Sequence, residues 1–358
     1  MTRFIARRLL VSIPVVFGIV FIVFMLARVL PGDPCTSSLG ERATAEQCRI
    51  YNARHGLDQP LPVQFLRYLE EVATGDLGTS LKFGIPVTDL IVLRLPTTIE
   101  LGFYALLLAT AVGIPLGIIS AYRRNSKTDV STMVFANLGV SIPVFVLGLV
   151  LAYLFGFVLK DTPFALPPSG RLSSGINVVP LAEVWGLEDW EGLPRALLDF
   201  VSGIYTVTSL ITFQFEAFVD AARHLILPVV ALATIPMAII ARITRSSLLD
   251  VMGTDYVRTA RAKGLANRPV VMRHAFRNAI LPVVTIIGLS MGLLFGGAVL
   301  TETVFNLAGV GRTVYDAITG RDFVVIQGFT LIIAIGVLLI NLVVDVSYAF
   351  IDPRVRLD

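Results

Sequence analysis

Residues 256–282 run YVRTARAKGLANRPVVMRHAFRNAILP, and Arg258, Arg261, Lys263, Arg268, Arg273 and Arg277 stand there without one acidic residue among them. Their meaning depends on their flanks. Leu225 to Ala241 precedes the stretch and Ala279 to Leu300 ends and follows it, and both runs are free of charge. A bilayer core of about 30 Å needs around 20 helical residues, so the cationic stretch joins two candidate membrane spans.

The whole chain agrees with that reading. Of its 358 residues, 55% are hydrophobic and 15% charged, with a mean hydropathy of +0.79. An average soluble domain carries roughly 25% charged residues. The net charge is only +3, and the basic residues fall in short segments between apolar runs, where they set orientation in a bilayer rather than bind nucleic acid.

Six apolar runs are near spanning length: Leu9 to Ala27, Leu101 to Ala121, Val130 to Leu159, Leu225 to Ala241, Ala279 to Leu300, and Phe323 to Val344, the last continuing towards Phe350. Only helices and closed barrels satisfy their backbone groups in hydrocarbon, so residues 1–358 are expected to form one all-α transmembrane unit. The first run exceeds the roughly 7 to 15 residues of a signal-peptide core and is expected to be a retained span.

Lys and Arg in short flanks favour the cytoplasmic side. Arg3, Arg7 and Arg8, then Arg123, Arg124 and Lys127, then the region 250–278 would all lie inside, with both termini. The region from Asp161 to Asp220 is acid-rich and would lie outside. Two long outer segments result: a cap over 31–98, and a loop over 160–224 whose Trp185 and Trp190 suit a membrane interface. The apolar portion IYTVTSLITFQFEAFV, residues 204–219, is expected to be an interfacial or packed helix rather than a span.

Cys35 and Cys48 are the only cysteines, and both fall in the first outer segment, where oxidation is permitted. A disulfide between them is expected over a pair of unpaired small residues. It would contribute about 3 kcal/mol in the chain-entropy account.

Chemical apparatus is sparse. There is no GxxxxGK[ST] loop, and none of Lys82, Lys127, Lys160 and Lys263 follows a glycine, so ATP is not hydrolysed by this chain. His55, His224 and His274 are scattered, without HExxH, CxxC or GxSxG. No metal or cofactor is expected. NLAGVGR, Asn306 to Arg312, is read as a turn after the fifth span. Arg28, Glu100, Asn137, Asn341 and Asp345 are read as boundary or packing residues. Gly113 and Gly117, Gly288 and Gly292, and Gly292 and Gly296 recur at i, i+4, which allows close helix approach, either within the chain or against a partner. Pro115, Pro143, Pro228, Pro236 and Pro282 imply kinks or broken turns.

In TDYVRTARAKGL, Ala260 and Gly264 stand one helical turn apart and leave a shallow place among Arg258, Arg261 and Lys263. Positive-inside charge does not account for those small residues. The stretch resembles the loop of bacterial ABC importer permeases, whose general signature is Glu-Ala-Ala, three residues, Gly, nine residues, Ile-x-Leu-Pro. Arg258, Thr259, Ala260 and Gly264 fall on the first half, with Arg258 in place of the acid and Leu281-Pro282 displaced.

The form YVRTARAKGL followed by RHAFRNAILPVVT is similar to the dipeptide, oligopeptide and nickel branch of those permeases. FIARRLLVSIPVVFGI, PGDP, LPTTIELG and HLILPVVAL match its other landmarks in order. The resemblance implies a type I importer permease fold and a coupling helix carrying Tyr256, Arg258, Thr259, Ala260, Arg261, Lys263, Gly264 and Leu265. It also implies a homologous second permease, two ABC ATPases holding ATP and Mg, an extracytoplasmic substrate-binding protein, and location in the bacterial cytoplasmic membrane among its lipids. Peptide is the expected substrate; glutathione and nickel complexes belong to the same branch. A stand-alone secondary transporter or channel, and an intramembrane enzyme, are the competing classes.

Overall fold

A computed structural model of the chain describes residues 2–29, 43–54 and 56–351. They are helical apart from connecting segments and one isolated bridge between Thr79 and Pro86. The first helices are α1 (Thr2–Val29), α2 (Ala45–Arg54), α3 (Leu61–Thr74), α4 (Val87–Tyr122), α5 (Lys127–Ser141) and α6 (Val144–Tyr153). Short helices α7 (Leu181–Val184), α8 (Gly192–Ser202) and α9 (Tyr205–Ile211) follow. Then come α10 (Phe215–Met252), α11 (Asp255–Ala262), α12 (Asn267–Pro269), α13 (Phe276–Val304), α14 (Val310–Thr319) and α15 (Phe323–Ile351).

Among the described residues, five helices are long and apolar enough to cross a bilayer: α1, α4, α10, the segment leading into α13, and α15. The run Val130 to Leu159, expected as one span, is instead α5 and α6 with a π-helical turn at Leu154–Val158, bent by 97°. Ile142 is extended (φ −100°, ψ 124°) ahead of Pro143, the conformation that a following proline ring imposes. Counted as one broken span, the pair makes six. Pro96, Pro115, Pro228, Pro236 and Pro282, by contrast, lie inside continuous helices.

Helix α4 begins at Val87, well before the apolar run at Leu101, so residues 87–98, expected within the cap, are the first turns of this long helix. Residues 204–219 divide between α9 and the first turn of α10, a packed arrangement in which Thr206, Thr208 and Ser209 are buried.

The core joins α4, α10 and α13 through Leu101, Ala105, Leu227, Ala231, Ile240 and Val283. A Cβ on Gly113 would lie 2.8 Å from the Met237 carbonyl oxygen, and one on Gly117 would lie 2.6 Å from that of Ala241. These glycines therefore serve internal packing of α4 on α10. Gly288 likewise makes room for Val344 of α15, while a Cβ on Gly292 would meet Val337 at an ordinary 3.8 Å. The side-chain surroundings of Gly296 lie outside the described residues.

In the most apolar stretch of α10, 67% of residues are buried, against 11% for α1. Helix α1 is accordingly peripheral. It leans on α15 through an Arg8–Asp345 ion pair of 3.1 Å and on α3 through Phe65, whose ring meets Phe17, Phe21 and Phe24.

Candidate functional site

The helix directions bring the α4–α5 turn, α11 and the start of α13 to one end of the bundle. Ala121, Leu248, Val257, Ala260, Val270 and Val271 share a buried cluster there. Residues 76–86, α7 to α9 and α14 gather at the opposite end.

At the first end, Val257 and Ala260 are 0% and 8% exposed and seat α11 on the ends of α4 and α10. Tyr256 adds a second fastening: its hydroxyl accepts from Asn278 Nδ2 at 2.7 Å and donates to the His274 carbonyl at 3.4 Å. Arg258, Thr259, Arg261, Lys263, Gly264 and Leu265 are exposed, and among the described residues only Arg258 of these has an ionic partner, Asp255 at 3.4 Å. One face of this eight-residue helix holds it to the bundle and the other is cationic.

The expected shallow place shared by Ala260 and Gly264 is not present as drawn. Ala260 faces inward and belongs to the anchor. Gly264 has φ +79° and nothing within 4 Å of where a Cβ would stand. It terminates the helix in the left-handed conformation, with its N–H on the Arg261 carbonyl at 2.9 Å and the Leu265 N–H on the Ala260 carbonyl at 3.4 Å, the usual glycine stop.

Behind α11 the bundle end is tied by Asp129. It accepts Nε and Nη2 of Arg245 at 2.9 and 2.8 Å, the Asn125 N–H at 2.9 Å, and the Ser120 hydroxyl. Ser126 caps α5 by accepting the Asp129 N–H at 3.2 Å. One carboxylate thus joins α4, its turn, α5 and α10. Asn137 of α5 accepts Arg242 Nη2 at 2.9 Å, which gives that polar residue a packing role.

At the opposite end Glu100, read from the sequence as a boundary or packing residue, is buried, and two further buried acids, Glu302 and Asp322, are not singled out by the sequence. Glu100 accepts Arg171 Nη2 at 2.7 Å, and the Thr206 N–H and hydroxyl at 2.8 and 2.6 Å. Arg171 also donates to the Gly203 carbonyl at 2.7 Å and lies 3.6 Å over the Tyr205 ring. Glu302 accepts the Thr98 hydroxyl at 2.6 Å and the Arg312 N–H at 2.9 Å, while Val310 N–H donates to Thr98 Oγ1 at 2.8 Å. These bonds satisfy the N-terminus of α14, where an anion is favoured.

Asn306 to Gly309 of NLAGVGR form the expected turn after α13, and Val310 to Arg312 already begin α14. Its glycines serve packing: a Cβ on Gly309 would run into the Glu302 carboxylate, and one on Gly311 into the Val299 backbone. A third buried acid, Asp322, accepts the Ser80 hydroxyl at 2.7 Å and the Lys82 N–H at 3.1 Å. Every one of these acids is engaged in holding segments together. Among the described residues no group of three His, Cys, Asp or Glu is placed to hold a metal. Cys48 lies on α2 and is not a free thiol, while Cys35 lies outside the described residues.

Two family descriptions match the chain. "Binding-protein-dependent transport system inner membrane component" covers residues 113–357, and the corresponding N-terminal description covers residues 1–102. The chain is 42% identical to the dipeptide transport system permease protein DppB of Escherichia coli K12, over 99% of both chains. It is 42% identical to the di/tripeptide transport system permease protein DppB of Pseudomonas aeruginosa, over 99% of both, and 40% identical to the dipeptide permease of Alkalihalophilus pseudofirmus, over 99% of this chain and all of that one. With helices of spanning length, an anchored cationic helix between two of them, and full-length similarity of this kind, the chain belongs to the family of binding-protein-dependent transport system inner membrane components.

Proposed function

We propose that this chain is the membrane-spanning permease subunit of a peptide-importing ABC transporter in the bacterial cytoplasmic membrane. The family and the dipeptide and di/tripeptide permeases of matching length support that reading. Within it, the basic end faces the cytoplasm with both termini, because cationic short segments are retained there. The segments 31–98 and 160–224 face outward and receive a substrate-binding protein.

The single observation that carries the mechanism is the two-sided character of α11. Its anchored face, Val257 and Ala260, makes it continuous with the ends of α4 and α10, and its free face with the residues just after it offers Arg258, Thr259, Lys263 and Leu265 to a partner, while Arg261 lines a cleft beside the α4–α5 turn. Two ABC ATPases, carrying ATP and Mg, dock there, and their closure displaces the anchored spans. A second, homologous permease completes the path through which peptide passes by alternating access, with no covalent chemistry in this chain. Cys35 and Cys48 form a disulfide within the outer cap.

Purification through a tag on this chain, followed by reconstitution, tests the reading. Two ATPases and a second permease are expected to co-purify, and peptide uptake should require ATP and the binding protein. A cysteine replacing exposed Thr259 should crosslink to an ATPase subunit. Uptake by the isolated chain without ATP would replace the proposal with a stand-alone transporter.

A further inference from the structure

At the basic end, the α4–α5 turn and the junction of α10 with α11 enclose a cleft of about 460 Å³. Arg123 and Arg124 line it from the turn and Arg261 from α11, against an apolar wall of Tyr122, Leu249 and Met252. None of these three guanidiniums is in an ion pair among the described residues; Arg123 has one hydrogen bond, from Nη1 to Thr128 Oγ1 at 3.3 Å. Neighbouring carboxylates are engaged or lie outside the lining. Asp129 is gripped by Arg245, Asp255 is bonded to Arg258, and Asp250 does not line the cleft.

Three unpaired like charges around one cleft repel one another unless an anion lies among them. The anion must also tolerate an apolar wall. The charge-free run of α4 ends at Tyr122, whose ring is half-exposed, so the cleft opens where a hydrocarbon core gives way to headgroups. Basic pockets between spans at a cytoplasmic face suit anionic headgroups, and guanidiniums pair bidentately with phosphate.

We infer that this cleft binds the phosphate of an anionic phospholipid, with its acyl chains along the outer side of α4. The lipid bridges the α4–α5 turn and the coupling helix, so its presence sets how firmly α11 is held. This rests on the inward orientation of the basic end proposed above.

The test uses the chain with its co-purifying subunits in nanodiscs of phosphatidylcholine containing increasing phosphatidylglycerol. Native mass spectrometry and a fluorescent phosphatidylglycerol read retained lipid. The wild type should retain phosphatidylglycerol selectively, R123Q/R124Q should bind it about ten- to thirty-fold more weakly, and R123K/R124K should keep most of the binding.

Equal retention by wild type and R123Q/R124Q overturns the inference. So does displacement by millimolar inorganic phosphate, which would make this a free-phosphate site. Loss of the ATPase subunits from R123Q/R124Q in pure phosphatidylcholine would assign the cleft to a protein carboxylate instead. Labelling of Lys127→Cys from the outer face would overturn the orientation on which the site rests. Selective lipid retention by a complex that imports no peptide would sink the transport reading and leave the site standing.

Discussion

Arg245 of α10 holds Asp129 of α5 in a bidentate grip, Nε to Oδ1 at 2.9 Å and Nη2 to Oδ2 at 2.8 Å. Parallel bonds of this kind fix orientation as well as distance, and here they lock the helix that leads into α11 against the one that leaves the α4 turn. Removing one member of a largely buried pair leaves the other uncompensated, at about 3 to 5 kcal/mol. Asp129→Ala and Arg245→Ala should each lower stability by that order in detergent unfolding titrations, and the double substitution should cost clearly less than the sum. Additive losses would show that the two residues act separately.

Glycine pairs on α4 give a sharp contrast. Gly117→Ala would drive a methyl into the Ala241 carbonyl and should cost about 1 to 3 kcal/mol by overpacking. Gly102→Ala on the same helix meets nothing within 4 Å and should be neutral or stabilising by up to about 1 kcal/mol through helix propensity. Thermal unfolding of the two variants side by side decides it.

Gly264 separates backbone conformation from space. With φ +79° and no neighbour, Gly264→Asn should fold and insert normally, and Gly264→Val should cost about 1 to 3 kcal/mol from the strained left-handed backbone. In transport assays, Gly264→Asn should couple ATP hydrolysis to uptake if conformation is the whole requirement. Uncoupling by Asn, with insertion intact, would assign Gly264 to close contact with the ATPase.

At the far end, Glu100→Ala would strand Arg171, whose side chain is 14% exposed. A loss of about 3 to 5 kcal/mol is expected, accompanied by protease sensitivity within residues 160–214. Unchanged digestion would show that the loop is held without this pair.

Much of this architecture is legible in the sequence because hydropathy acts on whole segments. The runs around Leu9, Leu225, Ala279 and Phe323 all fall within long helices. What escapes depends on contacts between distant residues. Pro143 lies inside an apolar run, and composition alone does not distinguish the continuous helix around Pro115 from the 97° break at Ile142 and Pro143. Glu100 and Glu302 stand at the ends of apolar runs, where an acid ordinarily meets water; only the approach of Arg171, Thr206 and Thr98 reveals them as buried clamps. Ala260 and Gly264 share the right spacing but not a role, since the bundle claims one and the chain's reversal claims the other.

The unbroken run of α10 from Phe215 to Met252 has a mechanical corollary. At 1.5 Å per residue it is a rod of about 57 Å, and its close approach to α4, at Gly113 and Gly117, lies nearer to Met252 than to Phe215. Pivoting there, the rod has unequal arms. A displacement at Met252 would be magnified about twofold at Phe215, so a small stroke at the α11 end would become a wide swing beneath α7 to α9.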